Sequence, residues 1–165
     1  MMDRINSFPP IIDEYSQILI LGSIPGIVSL QKQQYYAHPQ NHFWKMIFTL
    51  VEVENVQNID YTKKIGILKK YHIALWDVIE SYERKGSGDA HIENEENNDV
   101  CRLLIKYPSI KAIFCNGQKA YKNLQRHLGN SFMEIPIVLL PSTSPLHTIP
   151  FELKLEEWKK LLKYL

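Results

Sequence analysis

The sequence predicts an α/β fold, a three-layer αβα sandwich around a central four-stranded parallel sheet, and two observations predict it. Four short apolar runs rich in β-branched residues, at 18–21, 73–76, 110–114 and 137–140, alternate with stretches of helical spacing. Each run is followed by a polar loop of unusual composition. Runs of this length and composition read as strands buried on both faces, and strands that alternate with helices form a parallel sheet covered on both sides.

The elements follow in order. The first run ends in Gly22-Ser23-Ile24-Pro25-Gly26, and a polar, aromatic stretch then leads to Trp44. Residues 43–51 and 61–71 have helical spacing, and the second run ends at Asp77. The segment 83–98, with Gly86, Gly88 and many acids and amides, reads as a loop or lid. A helix is expected at 99–106, then the third run and the turn Asn116-Gly117, then a helix at 118–127. The fourth run leads into Pro141-Ser142-Thr143-Ser144-Pro145, and a helix over 151–164 closes the pattern. No linker or repeat interrupts it, so residues 1–165 read as a single domain. A chain of 165 residues with 45% apolar content can build a core without disulfides or metals.

Composition narrows the function. Cys101 and Cys115 are too few for a zinc ribbon or a four-cysteine cluster and suggest a reducing compartment. There is no signal-like opening and no apolar run of about 20 residues, so a soluble, cytoplasmic protein with no membrane partner is expected. The net charge of +1 does not announce a polyanion partner, so any DNA binding must be local. The loop 22–26 lacks the Lys-Ser or Lys-Thr ending of a phosphate loop and the glycine spacing of a dinucleotide fold. His38 and His42 have metal-compatible spacing, but Pro39 intervenes and no third ligand lies nearby. No metal and no cofactor are expected.

In an open parallel sheet the ligand crevice lies outside the carboxyl ends of the strands, where these polar loops fall. Four motifs there carry a family likeness: Gly22-Ser23-Ile24-Pro25-Gly26; Tyr35-Tyr36-Ala37-His38-Pro39-Gln40-Asn41-His42-Phe43-Trp44; Leu75-Trp76-Asp77-Val78-Ile79 with Lys85-Gly86-Ser87; and Leu140-Pro141-Ser142-Thr143-Ser144-Pro145. In order and separation they resemble the uracil-DNA glycosylase superfamily, particularly its mismatch-specific branch and the hypoxanthine-DNA glycosylase branch, over roughly residues 17–161. The resemblance implies a uracil-DNA glycosylase-like fold. It also implies a monofunctional enzyme that flips a deaminated base, foremost hypoxanthine from deoxyinosine, out of DNA and hydrolyses its N-glycosidic bond. The partner is then DNA containing deaminated bases, met by a monomer.

Residue roles follow from the same resemblance. Other branches place a water-activating Asp or Asn where this chain has Ile24, and the hypoxanthine branch uses the amide that corresponds to Asn41. Asn41 is therefore the expected catalytic residue; its structural alternative is a helix N-cap. Tyr36 corresponds to a ring stacked on the extruded base, whereas Tyr35, Phe43 and Trp44 are read as core. Asp77 corresponds to the residue reading the base edge: a carboxylate that accepts the ring N–H of hypoxanthine, with a cap or an ion pair to Arg84 or Lys85 as the alternative. Gly22, Ser23 and Asn116 complete the expected base site, Asn116 having a capping role as its alternative. Pro25, Gly26, Ser142, Ser144, Leu146 and His147 are the expected DNA contacts, Ser142 standing where another branch has histidine and Leu146 where relatives insert an apolar wedge. No lysine other than Lys45 comes near a Schiff-base position, which argues against lyase chemistry. Two other readings stay open at this point: a uracil or thymine mismatch glycosylase, and a catalytically silent nucleic-acid-binding α/β module.

Overall fold

The computed structural model describes residues 3–84, 92–132 and 134–165. In chain order the elements are β1 (Asp3–Asn6), β2 (Ile18–Gly22), α1 (Ile27–Lys32), α2 (Phe43–Leu50), α3 (Tyr61–Lys70), β3 (Ile73–Asp77), β4 (Ile79–Arg84), β5 (Ile92–Asn97), α4 (Val100–Lys106), β6 (Ala112–Asn116), α5 (Gln118–Leu128), β7 (Ile137–Leu140), α6 (Phe151–Trp158) and a 3₁₀ segment, Lys159–Tyr164.

The expected four-stranded sheet is present in the order β3-β2-β6-β7, with every neighbouring pair parallel. Alternation along the strands divides the core in two. Ile18, Ile20, Ile73, Leu75 and Phe114 face a layer built from α2, α3 and α6 through Phe43, Ile47, Leu68 and Trp158. Leu19, Leu21, Ala74, Ile113 and Cys115 face α4 and α5 through Val100, Leu104, Ala120 and Leu124. Side chains of period two on a sheet covered by helices require both clusters, which is why the runs are apolar at every position. The free edge of β3 is met by an antiparallel bridge from Ile11 to Leu75.

Several boundaries differ from expectation. The third strand begins at Ala112 because the N–H of Ile110 is taken by Tyr107 in a turn. The final helix changes to 3₁₀ at Lys159, a common tightening at helix ends. The six-residue α1 leaves no apolar periodicity to read.

The largest correction concerns 83–98. Rather than a lid throughout, its described parts contain the end of β4 and all of β5, which with β1 form an antiparallel sheet in the order β1-β4-β5. These strands are polar because one face is solvated; Arg4 crosses them, bonding Ser81 and pairing with Glu83 and Glu96. Lys85, Gly86 and Ser87 lie outside the described residues.

Candidate functional site

A cavity of about 610 Å³ opens where β2, β3, β6 and β7 end, within the usual size range of ligand pockets. The sheet ends place Gly22, Asp77 and Asn116 side by side on its wall, and the segment between α1 and α2 adds Tyr35, Tyr36, His38 and Asn41. The loop after β7 adds Ser142, Thr143, Ser144, Pro145 and Leu146. Of the sequence-derived site residues, Asn41, Tyr36, Asp77, Gly22, Ser23, Asn116, Pro25, Gly26, Ser142, Ser144 and Leu146 all line this one space. His147 does not. It lies in an adjacent groove with Gln40 and His42.

Asn41 is held by its position before α2. Its side-chain Oδ1 accepts the N–H of Phe43 at 2.9 Å, an Asx turn that starts the helix. The N-cap position of α2 is His42, so Asn41 is not the helix cap but sits one residue before it, on the cavity wall. With Oδ1 anchored, both protons on Nδ2 remain to be donated.

Tyr36 has φ of +51°, in the left-handed region unusual for a bulky residue. That turn swings its ring away from Tyr35 and onto Phe43, with centroids 4.1 Å apart and planes at 24°. Tyr35, Phe43 and Trp44 are core residues: the Tyr35 hydroxyl donates to the Pro9 carbonyl, and the Trp44 indole donates to the Tyr35 carbonyl.

Gly22 makes room for its neighbours. A Cβ at this position would lie 2.5 Å from Asp77 Oδ1 and 2.6 Å from the Tyr36 hydroxyl oxygen, so no other residue fits without displacing them. The main chain then crosses from β2 to the start of β4, the Gly22 and Ser23 carbonyls accepting from Val78 and Ile79. Among the described residues, the N–H groups of Ser23, Ile24 and Gly26 donate to no protein acceptor.

Asp77 is 3% exposed. It caps no helix and forms no ion pair among the described residues, which removes the Arg84 alternative. Its main-chain carbonyl accepts from Asn98, but its Oδ2 has no hydrogen-bond partner. Burial alone pushes the carboxyl up to about 7.

Asn116 is not a helix cap, since the N-cap position of α5 is Gly117, with no side-chain cap. Its Nδ2 donates to the Tyr36 hydroxyl at 3.1 Å and to Thr143 Oγ1 at 2.9 Å, and its Oδ1 accepts the Thr143 N–H at 2.9 Å. One amide thus ties together the aromatic segment and the loop after β7. In that loop the Ser142 and Ser144 hydroxyls accept the N–H groups of Ser144 and Leu146, and each keeps its own proton to donate. Leu146 is 82% exposed at the rim.

Sequence reasoning missed Thr143 and Lys154. Thr143 is wholly buried between two serines that were singled out, and its carbonyl accepts the N–H of His42. Lys154 is a buried lysine of α6 whose ammonium donates to the Ser144 carbonyl at 3.3 Å, and burial lowers its pKa. Nothing in the helical pattern around it marks it off from a surface lysine. His42, beside it, has its pKa lowered by burial and then by Lys154 and Lys45. Lys45 itself sits over the Phe151 ring, 4.2 Å from its centroid, and does not line the cavity.

Among the described residues one cluster, Asp99, Cys101 and His127, has metal-compatible proximity. Its ligand atoms already serve α4: Asp99 Oδ1 accepts the Arg102 N–H, and His127 Nε2 accepts the Val100 N–H.

Comparison with known proteins places this arrangement. A sequence model of the Uracil DNA glycosylase superfamily matches residues 9–165. The chain is 42% identical over 124 residues to a protein of Methanosarcina barkeri named hypoxanthine DNA glycosylase, covering 74% of this chain and 78% of that one. It is 38% identical over 159 residues to a Methanosarcina acetivorans protein of the same name, covering 95% and 97%. The solution NMR structure of a candidate uracil DNA glycosylase from M. acetivorans superposes with a TM-score of 0.80 at 37% identity, covering 98% of each chain.

Proposed function

The chain belongs to the uracil DNA glycosylase superfamily, and we propose that it is a monofunctional DNA glycosylase releasing hypoxanthine from deoxyinosine in DNA. The observation that carries this reading is the cavity at the sheet's carboxyl ends, lined by Asn41, Tyr36 and Asp77, the last two closing on Gly22. The names of the two Methanosarcina relatives support the choice of base.

The deoxyinosine is turned out of the duplex and its base enters the cavity. Tyr36, backed on one face by Phe43, offers its ring for stacking. The base edge meets Asp77 and the N–H groups of the loop 22–26. Asn116 has its amide engaged within the protein and acts by holding Tyr36 and Thr143 in place. Pro25 and Gly26, with Ser142 and Ser144, follow the DNA backbone, Leu146 enters the space the base leaves, and His147 touches a flanking phosphate from the adjacent groove.

Hydrolysis breaks the C1′–N9 bond with its electron pair leaving on the purine, while water oxygen bonds to C1′ and a water proton passes to the base or solvent. The transition state separates charge early, so a strong base for water is not essential. Asn41, its Oδ1 fixed by Phe43, directs its Nδ2 protons at the departing purine and stabilises the charge growing there. Its position is set by the Asx turn, so the hydrogen bond needs no reorganisation during reaction. Among the described residues no lysine lines the cavity, Lys45 lying over the Phe151 ring, and on this reading the product is an abasic site. We further take the protein to act as a cytoplasmic monomer, in keeping with Cys101 and Cys115 both being free thiols.

The test is base release by purified protein from oligonucleotides carrying deoxyinosine, deoxyuridine or deoxyxanthosine. Deoxyinosine is expected to be cleaved fastest, and Asn41→Ala to slow release by about a hundredfold or more. A strict preference for uracil overturns the choice of base. Release at the parental rate by a folded Asn41→Ala protein overturns the mechanism.

A further inference from the structure

Buried carboxylates are ordinarily paired or hydrogen-bonded, because an isolated buried charge is strongly disfavoured. Asp77 is an exception on the wall of the cavity, with Oδ2 unpartnered and no ion pair among the described residues. Among the described residues, the groups around it offer no cation. Gly22 lies against it from β2, and Tyr36 approaches from the segment before α2. The phenols of Tyr36 and Tyr35 both have their pKa raised, first by burial and then by Asp77. On β4, Glu80 is exposed, Glu83 pairs with Arg4 and Arg84 donates to the Tyr82 hydroxyl. Ahead of α4, Asn98 bonds the Asp77 main chain and Asp99 caps the helix. Among the described residues the cavity lining holds no Lys or Arg, and His38 lies in it.

An ionised carboxylate offers only acceptors, so it satisfies a ring N–H but repels the oxo oxygen beside it. A carboxylic acid offers one donor and one acceptor, side by side, at a spacing that matches an oxo group next to a ring N–H. On the reading of this cavity as a base site, we propose that Asp77 works as a neutral acid: its O–H donates to the oxo oxygen of the extruded base and its C=O accepts the adjacent ring N–H. The ligand class is then any nucleobase with that edge, O6 and N1–H in hypoxanthine or O4 and N3–H in uracil. The carboxyl's position near neutrality agrees with this state. Gly22 is what lets the acid and the Tyr36 hydroxyl occupy the same corner without a Cβ between them.

The experiment measures binding of an uncleavable 2′-fluoro-deoxyinosine oligonucleotide, relative to an undamaged one, from about pH 5.5 to about pH 9. Wild-type preference for the damaged strand is expected to fall by about tenfold or more as pH rises through the Asp77 transition. Asp77→Asn, an amide that also donates and accepts but does not ionise, retains part of that preference and loses its pH dependence. Asp77→Ala loses about tenfold or more of the preference at low pH. A wild-type preference that is flat or rises with pH overturns the proposal. So does an Asp77→Asn protein as weak as Asp77→Ala, and so does a falling limb that survives in Asp77→Asn. The ¹³C resonance of the Asp77 carboxyl gives a check without variants: titration near neutrality supports the neutral acid, and titration in the ordinary carboxylate range overturns it. If uracil proves to be the released base, the hypoxanthine assignment falls while the same pH signature appears with a deoxyuridine analogue. Loss of all preference for damaged strands overturns both.

Discussion

Gly22 shows how much one missing methyl group decides. Its Cβ position is already hemmed in by Asp77 Oδ1 and the Tyr36 hydroxyl, so Gly22→Ala must move one of them. Displacements of this kind in a reacting geometry cost large factors in rate. The expected result is base release slowed by about tenfold or more in a protein that loses about 1–3 kcal/mol of stability to overpacking, measured by single-turnover excision and urea denaturation. Asp77 makes a second prediction at this scale, through linkage. Its pKa rises from 3.8 to about 7 on folding. Below the unfolded value the group is neutral in both states and costs nothing. Between the two values only the unfolded chain ionises, so stability is lost as pH rises and levels off above the folded value. A shift of this size corresponds to about 4 kcal/mol. Asp77→Asn should therefore gain on wild type between about pH 4 and about pH 7, by up to that amount, in denaturation midpoints compared across pH.

Among the elements, the loop after β7 depends on a bond that crosses the sheet ends. Asn116, at the end of β6, accepts the buried N–H of Thr143 and donates to Thr143 and Tyr36. Asn116→Ala leaves that N–H without an acceptor, at about 1–3 kcal/mol, and frees both the loop and the Tyr36 ring. Stability and excision rate should fall together, as read by urea denaturation and deoxyinosine cleavage. Asp99 supplies the contrast: its carboxylate caps α4 by accepting from Arg102, away from the cavity. Asp99→Ala is expected to cost about 1 kcal/mol and to leave the excision rate near that of wild type. Asn41 lies on the cavity wall, and its Asx turn to Phe43 just before α2 fixes the orientation of its amide.

Over the whole molecule, a net charge of +1 and a cavity lining without Lys or Arg among the described residues leave little long-range attraction for DNA. On the proposed reading, main-chain N–H groups and serine hydroxyls carry much of the backbone contact, and these release few counterions. The logarithm of affinity should fall with the logarithm of salt at a slope of about −2 to −4, equivalent to two to four neutralised phosphates, in fluorescence anisotropy titrations. A steeper slope would reveal a basic surface outside the cavity.

The parallel sheet, its flanking helices and the position of the cavity were legible in residue order. A strand buried on both faces must be apolar at every position, and an open parallel sheet opens its crevice at the strand ends. Asn41, Tyr36, Asp77 and the loop 22–26 were visible for that reason, together with their family likeness. The antiparallel sheet was not. Arg4, Glu83 and Glu96 look like loop residues along the chain, and only pairing between distant segments makes strands of them. The same holds inside the site. The tie from Asn116 to Tyr36 and Thr143, the buried Lys154 beneath Ser144, and the unpartnered oxygen of Asp77 are each set by neighbours about ten to eighty residues away, and hydrogen bonding and desolvation depend on distance in space rather than along the chain.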